Sequence, residues 1–196
     1  MSIQSLPDCR SRVTLHQPVS AEDQVLLDFL AAQRETVLGI TEGLDEEAWH
    51  RSVVPSGWTP AGLVEHLSGA ELHWFQEVVA AADTTPPGDE EMSPYDPMAA
   101  FVTDWSSADI IAEYRELCAR SDAVLAVTPL SARPCGKHGD PEVAEPPTVR
   151  WIVLHVIEET ARHAGHLDIA RELLDGKTRL AQKRSAGLPS PPPAAR

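Results

Sequence analysis

The sequence predicts an all-α protein, an up-and-down four-helix bundle with long loops and a flexible basic C-terminal tail. Three observations carry this expectation. Four stretches space their apolar residues at helical intervals, and each opens on a residue that can cap a helix. No stretch alternates apolar and polar residues as a half-buried strand does. No internal repeat points to a solenoid. A length of 196 residues with 42% hydrophobic composition suits one domain with a proper core. We place that domain at residues 20–176, after an arm at 1–19 and before a tail at 177–196.

The first helix is expected from about Ala21 to Thr41. Ser20 opens it, Glu22 and Asp23 place acids in its first turn, and Gly43 follows its end. Leu26, Phe29, Leu30, Gln33, Val37 and Ile40 mark its inward face. Asp45 to His50 reads as a short extra turn with Trp49 pointing inward. The second helix starts at Thr59-Pro60, a capping threonine followed by a proline at the first helical position, and should reach about Ala82. Leu63, His66, Leu67, Ala70 and Trp74 share one face. Residues 83–107 are rich in proline, glycine and acids, and a connection of that length inside a compact domain is often functional. Ser106 or Ser107 then caps a third helix of about Ala108 to Val127, with Ile111, Tyr114, Leu117, Cys118 and Leu125 as core candidates. A second long loop, 131–147, leads to the fourth helix. Thr148 caps that helix and Gly176 closes it.

Net charge is −14, which argues against a nucleic-acid partner. The tail runs the other way, with five Lys or Arg after Asp175 and no acid. No apolar run is long enough to span a membrane, and no secretory leader opens the chain. Cys9, Cys118 and Cys135 fit no zinc-ribbon spacing, and a reducing cytoplasm is the simplest setting. Cys135 reads as a plain loop thiol, with Lys137 and His138 as the only nearby groups that would make it reactive.

The fourth helix holds His155, Glu159, His163 and His166. Residues four apart stand one turn above each other, so Glu159 and His163 point the same way. They form either half of a metal site or a hydrogen-bonded pair on the helix surface. The metal is the sharper reading because Trp151, Leu154, Ile157 and Ile169 surround the stripe, and buried charge needs a partner. His66 alone reads as a packed core histidine, but it lies on the apolar face of another helix. Helical bundles build metal sites from facing helices. His66, Glu159 and His163 together make two imidazoles and a carboxylate, a set that suits catalytic zinc with an open position. Nickel, iron or manganese fit the same donors. His155 with Glu159 and His66 is an alternative triple of equal spacing. His73 lies two turns from His66 and is placed at the pocket rim or on the surface. His155 and His166 border the stripe as candidate acid/base groups or packed histidines. Glu158 and Arg162 form a structural i, i+4 pair.

Two stretches, Trp58 to Trp74 (WTPAGLVEHLSGAELHW) and Val149 to Gly176 (VRWIVLHVIEETARHAGHLDIARELLDG), resemble the DinB-like metal-binding four-helix-bundle superfamily. The resemblance is to its actinobacterial branch of mycothiol-dependent maleylpyruvate isomerase and mycothiol S-transferases. It implies metal ligands at His66, Glu159 and His163, which disfavours the alternative triple. It also implies mycothiol or a similar low-molecular-weight thiol as the co-substrate, and a homodimer. The isomerase has an additional C-terminal domain where this chain has only the short basic tail. That turns the expectation from the isomerase toward the transferases. His166 stands where relatives often carry glutamine. The expected reaction is attack of a metal-activated thiol on an electrophilic small molecule, in detoxification or natural-product biosynthesis. Two rivals are a hydrolase using the triad to activate water and a non-catalytic bundle braced by a metal.

Overall fold

The computed structural model describes residues 20–84, 101–139 and 144–179. The expected arm, the middle of the first long loop and most of the basic tail lie outside the described residues. Within them the structure is all-helical, and the helices stand where their caps predict. Helix α1 spans Ala21–Thr41, with Ser20 Oγ accepting from the Asp23 amide. The short α2, Glu46–His50, is capped by Asp45 and buries Trp49. Helix α3 spans Pro60–Glu71, and Thr59 accepts from the Gly62 amide. Helix α4 spans Ser107–Val127 with Ser106 as its cap, and α5 spans Val149–Asp175. Gly176, at φ 76°, ends α5 in the left-handed conformation that costs glycine least.

Helix α3 does not continue as one α-helix to Ala82. From Leu72 to Val79 it widens into a π-helical segment, and Ala81 then turns to φ 52°. The carbonyls freed at this end are taken up by the loop after α4. Cys135 N–H donates to Val79 O at 3.1 Å and Gly136 N–H to Val78 O at 2.9 Å. Cys135 itself is disulfide-bonded, which corrects the reading of a plain thiol; Cys118 is free.

Two apolar clusters fill the bundle. One joins Leu30, Trp74, Phe75, Val78, Leu125, Val149 and Ile152. The other joins Val37, Trp49, Ala61, Leu67, Tyr114, Ala164 and Leu167. These clusters fix the direction of each helix. Helices α1 and α5 run from the first cluster to the second, whereas α3 and α4 both run from the second to the first. The bundle is four-helical as predicted, and α1/α3 and α4/α5 are antiparallel. Helices α3 and α4 are parallel, so the connection between them crosses the length of the bundle. Between the clusters lies a buried polar layer. Arg34 forks onto Glu71 at 2.7 and 2.8 Å and reaches Asp122 at 2.7 Å. Gln76, Ser121 and Thr160 are buried at or near the same level.

Some expected core positions face outward. Phe29 on α1 is exposed, and so are Trp151, Leu154 and Ile169 on α5; Ile157 is half-buried. The buried face of α5 is Ile152, Val153, Val156, Thr160, His163, Ala164 and Leu167. Helix α5 carries apolar residues on two faces, and periodicity alone does not say which one meets the core. Among the described residues no helix is long and apolar enough to cross a membrane.

Candidate metal centre

Helix α3 brings His66 to the face that meets α5, where Glu159 and His163 stand one turn apart. Glu159 Oε1 lies 3.0 Å from His66 Nε2 and 3.1 Å from His163 Nε2. One donor atom from each of the three residues falls within 4.8 Å of the other two. The structure therefore joins the three residues singled out as ligands. They also have the burial an enclosed site needs, since 19%, 19% and 11% of their side chains remain exposed. Hydrogen bonds from His163 and then His66 outweigh burial and hold the Glu159 carboxyl far below the usual carboxylate range. Glu159 is thus ionised at neutral pH, and each imidazole presents Nε2 to it.

The donor set fits a divalent ion. Two neutral imidazoles and one carboxylate leave such an ion with one net positive charge and at least one coordination position. Among the described residues no fourth protein donor belongs to the group. His163 has a partner on its other side, because its Nδ1 lies 3.3 Å from Nδ1 of His166. If His163 gives Nε2 to a metal, Nδ1 carries the proton, and His166 Nδ1 must accept it. Burial, and then the neighbouring His163, push the His166 pKa down, which favours the neutral accepting form.

Two aromatic residues at the site were not singled out from the sequence. Phe101, where the crossover returns, stacks on His66 at 4.4 Å between centroids and meets His163 edge-on at 6.2 Å. Trp58 lies 6.2 Å from the His166 ring. No local pattern marks Phe101, which is delivered by backbone contacts. Its carbonyl accepts from Thr59 N–H at 3.0 Å and sits where a side chain on Gly62 would be.

The other candidate histidines lie elsewhere. His155 stacks on Trp151 at 5.2 Å and meets Trp74 edge-on at 4.7 Å, with no hydrogen bond to the triad. His73 pairs with Glu77 and His138. Glu158 and Arg162 form the expected surface pair.

A family profile described as Mycothiol-S-transferase matches residues 25–176, which include all of the triad and most of the chain. No curated protein matches the chain. The chain belongs to the mycothiol S-transferase family.

Proposed function

We propose that this member of the mycothiol S-transferase family is a metal-dependent thiol transferase, with His66, Glu159 and His163 as its ligands. The observation that carries the reading is the convergence of three donors from two helices on one point. These residues would hold a divalent ion, with zinc first and nickel, iron or manganese fitting the same donors, and the ion would supply a lowered pKa to a thiol bound beside them. Every other part of the scheme belongs to the chain. His66 and His163 supply neutral nitrogen donors. Glu159 supplies the one negative charge, so that an added thiolate neutralises the site. His166 holds the His163 tautomer. Phe101 covers the His66 ring and limits water at the point of attack. The co-substrate is mycothiol or a similar low-molecular-weight thiol. The thiol gives its proton to solvent, and its sulfur attacks the carbon of an electrophilic small molecule. The displaced electron pair leaves with a halide, opens an epoxide C–O bond to an alkoxide that solvent protonates, or moves along a conjugated enone to its oxygen.

The test is metal analysis of the purified chain. It is joined to turnover of a generic electrophile with mycothiol, bacillithiol, glutathione and no thiol. One bound ion per chain and turnover that needs a thiol are expected. His163→Ala should lose both while its helical circular dichroism is retained. Retention of metal and activity by His163→Ala overturns the ligand assignment. Turnover without thiol would point to water as the nucleophile.

The proposal includes a homodimer. The outer face of α5 carries Trp151, Leu154, Ile169 and Leu173, all exposed in the single chain. Light scattering should give twice the chain mass, and a monomer at high concentration removes this part.

A further inference from the structure

A second group of imidazoles lies away from the proposed centre, on the π-helical segment and the loop after α4. His73 is seven residues from His66, about 10 Å by helical rise. Its Nε2 lies 2.8 Å from Nδ1 of His138, which is 65 residues later. Its Nδ1 lies 2.7 Å from Glu77 Oε2. The other Glu77 oxygen accepts from Thr84 Oγ1. We propose that His73 and His138 form a second metal-binding site, taking Cu2+, Ni2+ or Zn2+ from solvent.

Four features support it. First, the tautomer is fixed. Both Glu77 oxygens are engaged, one accepting from Thr84 Oγ1 and the other facing His73 Nδ1 at 2.7 Å. An ionised Glu77 only accepts, so His73 carries its proton on Nδ1 and aims the Nε2 lone pair at His138. A carboxylate behind a ligating histidine is the common support of metal-bound imidazole. Second, the spacing is close to that of a ligand pair. Two nitrogens about 2.05 Å from one ion at 90–110° stand about 2.9–3.4 Å apart. The pair therefore opens by only a few tenths of an ångström.

Third, His138 is held in place before any ion arrives. Its ring stacks on Trp74 at 4.7 Å with 12° between planes, and its amide donates to Glu145 at 3.0 Å. The Cys135 and Gly136 amides tie the same loop to the end of the π-helical segment. Gly136 passes so close to the Glu77 carbonyl that an added Cβ would meet it at 2.1 Å. Fourth, the pair is reachable. The His73 side chain is 32% exposed and His138 is half-buried, so water can complete the coordination. Imidazole donors suit these borderline ions better than magnesium or calcium. π-helical insertions recur at functional sites, and this one carries both His73 and Glu77.

The test uses the full chain stripped of metal and titrated with Cu2+, followed by electron paramagnetic resonance and tryptophan fluorescence. The His163→Ala variant removes the proposed centre, with His66→Ala as a second background should the first fold poorly. On that background one Cu2+ should still bind, with nitrogen splitting from imidazole and quenching of Trp74. Adding His138→Ala or His73→Ala should abolish it. Adding Glu77→Gln should weaken it about tenfold. If the His163→Ala and His66→Ala backgrounds bind no Cu2+, the proposal is wrong. It is equally wrong if binding ignores both His73→Ala and His138→Ala. The 2.8 Å contact is then a hydrogen bond that fastens the loop to α3.

Discussion

Glu158 and Glu159 are neighbours of one residue type with different fates. Glu158 lies on the exposed face and pairs with Arg162, whereas Glu159 turns between two imidazoles. Glu159→Gln keeps the shape but removes the charge, so the metal content and the thiol-dependent turnover should both fall at least tenfold. Glu158→Ala should change neither, and should shift stability by less than about 0.5 kcal/mol, because exposed pairs contribute little. Thermal unfolding and metal analysis of the two variants check this. The four-residue spacing made the pairing of Glu159 with His163 legible in advance. Cys118, on α4 near Glu71, was legible only as an inward residue. Burial, then the Glu71 carboxylate, push its thiol up to about 12. A thiol that ionises near 9 when unfolded and near 12 when folded favours folding below pH 9. That contribution is lost as pH rises from 9 to 12, since the unfolded chain then releases the proton first. Cys118 should therefore resist alkylation in the native protein at pH 8 and react on unfolding, as read by peptide mass spectrometry.

At the scale of elements, α3 shows how one helix serves both the core and the crossover. Thr59 and Pro60 announced its start, and that prediction held to the residue. Its end did not follow, because the π-helical segment depends on the loop amides that take up its last carbonyls, and those come from 55 or more residues away. Gly62 and Gly69 lie on the same helix, yet their requirements differ. A Cβ on Gly62 would meet the Phe101 carbonyl at 2.0 Å, and on Gly69 it would meet nothing within 4 Å. Gly69→Ala should stabilise the protein by about 0.5–1 kcal/mol through helix propensity. Gly62→Ala should instead displace the returning crossover, lower the melting temperature and reduce thiol-dependent turnover by moving Phe101 off His66. Phe101→Ala should reproduce the loss of turnover with a smaller loss of stability. Equal effects at the two glycines would refute this account.

At the scale of the molecule, the buried polar layer sets the helices against each other. Arg34 and Glu71 are 5% and 1% exposed, and each satisfies the other. Arg34→Met strands the Glu71 carboxylate in the core and should cost about 3–5 kcal/mol. Adding Glu71→Leu should recover most of that loss, because an apolar pair of similar volume avoids the desolvation penalty. Denaturant unfolding of the single and double variants measures the difference. If the double variant is as unstable as Arg34→Met, the pair contributes more than mutual neutralisation. The layer was not foreseen. Arg34 stands between Gln33 and Glu35, and Glu71 between Ala70 and Leu72, so either reads as a solvated charge until the other is placed opposite.

What the sequence determined by itself is local. Caps, proline and glycine positions and the 3.6-residue period place α1, α4 and α5 almost to the residue, because those signals act within one or two turns of the chain. The i, i+4 spacing put Glu159 and His163 on one face for the same reason. Tertiary structure decided the rest. The connections 80–106 and 128–148 are both long enough to cross the bundle or to turn back, so length could not reveal that the first crosses while the second turns. Only the packing of Leu67 with Tyr114 and of Trp74 with Leu125 in shared clusters makes α3 and α4 parallel. Which apolar face of α5 is buried was likewise settled by α1 and α3, the helices that cover it. The arrival of Phe101 at His66 follows from the direction of the crossover, a contact between residues 35 apart that no local pattern encodes.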